Sequence, residues 1–258
     1  VIPPDFSRQV AAGQPAPLQV IIDGRRANAG QVALGYIESI ASRFGTRFLP
    51  PSQQPPEMIA VRHWFNPNLI FIWFIVPALV GTMAMLVPLM VAAMSIARER
   101  ELGTFDQLLV SPTSPTEIII AKALPAVVLG SVLGLVMVGA GVFGFGVPFH
   151  GSLLALGFAT LLFIMSVVGL GLMISSICAT QQQAMLGTFA ITVPMILLSG
   201  FATPIENMPD FLQMVAETIP AKHYLIILQG SFLKAMPMAE IWHNAWPLAV
   251  IGVVTLVV

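Results

Sequence analysis

Apolar residues lie in long unbroken runs, and charged residues are confined to the gaps between them. No Asp, Glu, Lys or Arg occurs between Arg62 and Arg98, between Lys122 and Glu206, or after Glu240. A helix needs roughly 20 apolar residues to cross a bilayer core, so the central run has room for more than two crossings. In lipid only helices or closed barrels satisfy every backbone group. Barrel strands alternate polar and apolar positions; these runs do not, and the pattern predicts helices. They fall at about 68–95, 116–142, 152–175 and 184–198, and a fifth begins near Trp242.

Local signals support these elements. Asn66-Pro67 is a helix start, with a capping side chain followed by proline in the first turn. Pro77, Pro88 and Pro125 lie inside predicted helices and are expected to kink them. Trp64 and Trp73 suit a membrane–water interface. Gly130 and Gly134 have the spacing that permits close helix contact, and packing is the reading we take. The stretch 139–151, GAGVFGFGVPFHG, is too rich in Gly and Pro for a regular helix and reads as a turn outside lipid. Between 199 and 240 the chain is divided by Pro204, Pro209 and Pro220. There Phe211, Leu212, Met214, Val215 and Ile219 share roughly one face, which predicts a short amphipathic helix lying at or re-entering the interface. A second short helix is expected over about 222–233.

The first 66 residues read differently. LQVIID, 18–23, predicts a short strand, and Asp23-Gly24 a turn. Val32, Tyr36, Ile37 and Ile40 have helical spacing within 29–44. Pro50, Pro51, Pro55 and Pro56 break the chain, and 57–65 predicts a second strand. The expectation is a small α/β domain outside the lipid (1–66), followed by a transmembrane domain (67–258).

Composition reinforces the membrane assignment: 57% of residues are hydrophobic and 9% charged, against about 25% charged in an ordinary soluble domain. The formal net charge of −1 gives no pointer to nucleic acid. Cys178 is the single cysteine, so an internal disulfide is excluded and packing is its expected role. The chain opens at Val1 without Met and stops within the apolar run TLVV. The expectation is a further membrane helix before residue 1 and a few residues beyond Val258.

Candidate chemistry is sparse. No GxxxxGK[ST] phosphate loop is present. His63, His150, His223 and His243 are scattered, without metal-ligand spacing. Ser199-Gly200 and His223 lack any group that would orient them for hydrolysis. No carboxylate lies within the long apolar runs, which counts against ion-coupled transport. The Met-rich faces of the helices at 68–95 and 184–198 would suit a hydrophobic ligand, but packing or lipid contact is favoured for each residue. The charged segment 97–117 is more informative. In SIARERELGTFDQLL, Ile96, Leu102, Phe105, Leu108 and Leu109 are apolar anchors among charges. It reads equally well as a solvated loop or as a docking helix for a cytoplasmic partner. Arg98, Arg100 and Lys122 flank this loop and place it in the cytoplasm by charge bias. The six Arg of residues 1–66 point the other way, but long domains escape that rule.

The segment RERELGTFDQLLVSPTSPTEIIIAKALP, 98–125, closely resembles the cytoplasmic coupling segment of type-2 ATP-binding-cassette (ABC) exporter permeases. The matching features are Arg100-Glu101-Leu102-Gly103-Thr104, the Ser111-Pro112 turn and Lys122. LSGFATPIENMPDFLQMVAETIPAKHYL, 198–225, resembles the extracytoplasmic segment between that family's last two membrane helices. Residues 1–66 are similar to the large outer domain of the bacterial drug-export branch. The resemblance implies a six-helix permease, with five segments visible and the first missing, and a small extracytoplasmic α/β domain. It implies a multi-pass subunit of the bacterial inner membrane, paired with a second permease (identical or not) and two cytoplasmic ATPase subunits. ATP would be bound by the partner; no cofactor, metal or catalytic residue is assigned to this chain. The implied function is export, with drugs, lipids and polysaccharides all open as substrates of such a family. The small outer domain and short loops favour a hydrophobic or amphipathic, drug-like small molecule, and the sequence permits the outer domain to dock a periplasmic adaptor. Arg98, Glu99, Arg100, Glu101, Gly103, Thr104 and Phe105 are the expected ATPase-coupling residues, Gly103 allowing a bend and Phe105 anchoring in a groove. The alternatives are an ion-coupled transporter or channel without an ATPase, a membrane scaffold or regulator, and, last, an intramembrane hydrolase.

Overall fold

The computed structural model describes residues 3–12, 16, 20–23, 33–37, 39–41, 62–64 and 70–257. The chain divides into two compact units, Val1–Phe74 and Ile75–Val258.

In the first unit, helix α1 (Phe6–Ala11) was not anticipated from the sequence. Strands β1 (Ile21–Asp23) and β2 (Arg62–Trp64) pair in parallel, with Ile21 opposite Arg62 and Asp23 opposite Trp64. Both strands fall inside segments predicted to be extended. A parallel pair cannot be joined by a tight hairpin, and helical residues 33–37 and 39–41 lie in the intervening chain. The Asp23-Gly24 turn, the four prolines at 50–56 and the Asn66-Pro67 start lie outside the described residues.

The second unit is helical. Helix α2 (Phe71–Glu101) is followed by the short α3 (Phe105–Leu109) and by α4 (Pro115–Gly139), which ends in a π-turn over Ala140–Gly144. Then come α5 (Leu153–Ile177), α6 (Gln181–Leu198), a 3-10 turn (Ile205–Asn207), α7 (Asp210–Glu217), α8 (Pro220–Leu233) and α9 (Met238–Val257). Among the described residues three helices, α2, α4 with its π-turn, and α5, are long and apolar enough to cross a membrane. Sequence patterning predicts five. Helices α6 and α9 have polar openings, Gln181-Gln182-Gln183 and Glu240 with His243 and Asn244, which shorten their apolar stretch.

Several boundaries differ from expectation for identifiable reasons. Helix α2 runs through its charged end to Glu101 instead of stopping near Ser95, because Ala, Arg and Glu are all good helix formers. Helix α6 starts at Gln181, not Ala184, because Thr180 caps the Gln183 N–H and Gln183 returns a bond to the Ala179 N–H. The 139–151 stretch begins as a π-turn and only then becomes irregular.

Small residues let the helices approach closely. A methyl added at Gly130 would lie 2.9 Å from the Pro88 ring and 3.0 Å from Ile164, and one at Gly134 3.0 Å from Thr160. The predicted packing role of this pair therefore holds, and what it accommodates is the proline ring of α2 on one side and α5 on the other. On α5, a methyl at Gly171 would meet the Leu89 carbonyl at 2.7 Å, and one at Gly169 would collide with Thr255. Helix α5 is thus the hub, with its most extensive contact to α9. Its Phe163 ring stacks on Tyr224 of α8 at 4.1 Å, and the Tyr224 hydroxyl pairs with Thr160 at 3.0 Å.

Helix α8, expected as a second short helix over about 222–233, starts at Pro220 and is almost wholly buried within the unit, including Lys222 and His223. Lys222 pairs with Glu217, which is itself largely exposed. On α7, Phe211 and Met214 face outward, while Ala216 and, just past the helix, Ile219 turn inward, so the predicted single apolar face is divided between surroundings and core.

Candidate functional site: the charged end of helix α2

The sequence Ala97-Arg98-Glu99-Arg100-Glu101 forms the last turn of α2, and Leu102-Gly103-Thr104 ends it. Gly103 adopts a φ of +70°, a left-handed conformation that glycine enters without a side-chain penalty. The Leu102 N–H bonds back to the Arg98 carbonyl at 3.0 Å, and the Thr104 N–H to the Glu99 carbonyl at 2.9 Å. This closes the helix as a glycine-containing C-terminal cap. The predicted docking helix is therefore split: its first half belongs to α2, and only Phe105–Leu109 form a separate turn of helix.

Three charges at this end, Glu99, Arg100 and Glu101, are engaged within the chain. Glu99 pairs with Lys122 on α4. The Arg100 guanidinium donates to the carbonyls of Ser176 and Cys178, at the end of α5. It also sits over the Phe105 ring, 5.0 Å from the centroid, within the range of a cation–π contact. The Glu101 carboxylate accepts the Gln181 backbone N–H at 2.9 Å and its side-chain amide at 3.1 Å, at the start of α6. One turn earlier, the buried Ser175 hydroxyl accepts the N–H groups of Ile96 and Ala97 at 2.9 and 3.0 Å.

Helix α4 begins beside this cluster. Ser114 and Glu117 form a reciprocal capping box with Pro115 at the first position. Glu117 accepts the Ser114 N–H at 2.8 Å. This signature, S-P-T-E, is readable in the sequence, although patterning begins the helix one residue later, at Thr116.

The seven predicted coupling residues thus fall within 98–105 at one end of the bundle, but they face different ways. Arg98, Glu101, Gly103 and Thr104 are exposed, and Phe105 is partly so. Glu99, Arg100 and Glu101 are turned onto α4, α5 and α6. Val110, just past α3, is 85% exposed. Sequence reasoning missed the partners Ser175, Ser176, Cys178 and Gln181. They stand some 80 positions away, as in the Glu101–Gln181 separation of 80, and no local pattern links them.

The family model for "ABC-2 family transporter protein" matches residues 1–258. The chain belongs to the ABC-2 transporter family. It is 41% identical to the Escherichia coli protein named probable multidrug ABC transporter permease YbhR, over 98% of this chain and 69% of that one. It is 36% identical to probable multidrug ABC transporter permease YbhS of E. coli, over 90% of this chain and 63% of that one. Against the E. coli inner membrane transport permease YhhJ the identity is 33%, over 97% and 68%. No solved structure matches the chain. As an ABC-2 family member with apolar spanning helices, the chain is a multi-pass membrane permease of an ABC exporter, with ATP hydrolysis supplied by a separate subunit.

Proposed function

We propose that this chain is the membrane subunit of an ATP-driven exporter in a bacterial inner membrane, moving hydrophobic or amphipathic, drug-like molecules outward. The substrate class rests on the names of the two E. coli multidrug permeases. The proposed membrane domain has six helices, of which α2, α4, α5, α6 and α9 are five. Residues 1–66 form its extracytoplasmic α/β domain, 67–258 the permease domain, and 199–240 an outer segment. It works with a pair of cytoplasmic ATPases, a second permease subunit and surrounding lipid, and the outer domain can engage a periplasmic adaptor.

The observation that carries the reading is the 98–105 corner. A membrane helix emerges with its charged last turn, bends at Gly103 and presents Thr104 and Phe105 to one side. A partly exposed aromatic ring beside flanking charges has the chemistry of an anchor for an apolar groove. ATP-driven closure of the two ATPases would then press on this corner and tilt the helices attached to it.

The test is co-expression of the full-length protein with its ATPase subunit and purification in mild detergent. A stoichiometric, active ATPase is expected to accompany the wild-type chain. Phe105→Ala combined with Thr104→Asp is expected to reduce co-purification at least tenfold while leaving the permease folded. A wild-type chain that purifies as an active transporter without any ATPase would overturn the proposal in favour of ion-coupled transport.

A further inference from the structure

Beyond that reading, and resting on it, we infer that Arg100 and Glu101 are transmission residues rather than ATPase contacts. Together they clamp the α5–α6 turn to the docking corner, so that movement of Phe105 is passed to two further membrane helices.

The geometry is directional. A helix C-terminus carries partial negative charge on its free carbonyls, and an N-terminus partial positive charge on its free N–H groups. The α5–α6 turn places these two ends side by side. Arg100 lies on the α5 end, donating to the carbonyls of Ser176 and Cys178. Glu101 lies on the α6 end, accepting from the Gln181 N–H and amide. Two adjacent residues of opposite charge therefore complement two adjacent helix ends of opposite polarity. Reversing the order Arg-Glu would set like against like at both.

The clamp continues in both directions. Toward the bundle, the buried Ser175 hydroxyl accepts two N–H groups of α2, fixing the same junction below the charged pair. Toward the outside, the guanidinium that holds the α5 end also covers Phe105. Arg100 thus contacts both the proposed docking ring and the α5–α6 turn. Glu99 with Lys122 adds α4 to the same block. A push on Phe105 displaces the ends of α2, α4, α5 and α6 together; without the clamp it would move only the short α3 and its tether.

The clamp would act on coupling, not on assembly. The experiment therefore uses the full permease–ATPase complex in proteoliposomes and reads three quantities: ATPase co-purification, basal hydrolysis, and substrate moved per ATP hydrolysed, with a fluorescent hydrophobic dye as probe. Arg100→Ala, Glu101→Ala and the exchange Arg100→Glu with Glu101→Arg are expected to keep the ATPase bound and hydrolysing. The dye moved per ATP should fall at least fivefold, most in the exchange. Arg100→Lys, which keeps a cation on the α5 carbonyls, is expected to recover at least half of it. An unchanged transport-to-hydrolysis ratio in all three disruptive variants would overturn the inference while leaving the exporter reading intact. Loss of the ATPase from Arg100→Ala or Glu101→Ala would also overturn it, by making these residues docking contacts. Absence of an ATPase from the wild-type complex would instead sink the exporter reading itself. Thermal stability of each complex is measured alongside, and if Arg100→Ala proves unstable, Gln181→Ala, which removes only one side-chain bond to Glu101, carries the test with an expected twofold loss.

Discussion

Gly171 and Gly157 stand on the same helix, and the difference between them is steric. A methyl at Gly171 would press on the Leu89 carbonyl at 2.7 Å, whereas nothing lies within 4 Å of one at Gly157. Backbone atoms cannot rotate away, so Gly171→Ala is expected to cost about 1–3 kcal/mol through forced separation of α2 and α5. Gly157→Ala is expected to be neutral or stabilising by up to about 1 kcal/mol, since alanine restricts the unfolded chain. Thermal unfolding in detergent checks both, and equal effects would contradict the close packing described. Tyr224 offers a second separation of terms. Tyr224→Phe removes the hydroxyl bond to Thr160 but keeps the stack on Phe163, and is expected to cost about 1 kcal/mol. Tyr224→Ala empties a fully buried site and is expected to cost about 3–5 kcal/mol. None of these partners is deducible from the sequence. The spacing of Gly130 and Gly134 shows that something packs closely there, but not that it is Pro88 and Thr160.

At the scale of elements, side-chain caps mark where α4, α5 and α6 start. Ser114 and Glu117 satisfy each other's backbone donors at the head of α4. Ser114→Ala is expected to cost about 1 kcal/mol, with faster hydrogen exchange confined to the first turn of α4. Exchange that rises along the whole helix would mean the cap controls more than fraying. Hydrophobic patterning starts α4 and α6 at 116 and 184, whereas the caps Ser114 and Thr180 start them at Pro115 and Gln181. The polarity of Gln181-Gln182-Gln183 nevertheless reads as loop, because composition and capping point in opposite directions there. The fate of α8 was not legible. Lys222 and His223 belong at a surface by type, yet both are buried, Lys222 at 8% exposure. Glu217 from the preceding helix supplies the ion pair, and its own backbone carbonyl contacts His223 at 2.9 Å. A buried cation is tolerated when it is paired and hydrogen-bonded, and that pairing is a tertiary matter.

For the molecule as a whole, orientation is the quantity that ties fold to function. The end of α2, the start of α4 and the α5–α6 turn gather at one end of the bundle. The 145–151 loop bonds to the end of α8, with the His150 and Gly151 N–H groups on the Ser231 carbonyl. Cys178 is the single cysteine of the sequence and lies in the α5–α6 turn. A membrane-impermeant maleimide is expected to label it in inverted vesicles and not in intact spheroplasts. In a Cys178→Ser background, a cysteine placed at the exposed Phe145 is expected to label the opposite way. Labelling of Cys178 from outside would invert the topology and remove the docking corner from the cytoplasm.

By itself the sequence determined the medium and the class of the fold. Uncharged runs longer than a bilayer crossing allow only helices or closed barrels, and the lack of polar–apolar alternation selects helices; that constraint is local and needs no knowledge of neighbours. It also marked 98–105 as the segment of interest, because charges directly after a membrane helix are conspicuous against so apolar a chain. Tertiary structure decided which way those charges face. Arg100 and Glu101 find their partners about 80 residues further on. A hydrogen bond or ion pair between distant positions leaves no periodicity, so only the folded bundle, with the ends of α2, α5 and α6 brought together, reveals it.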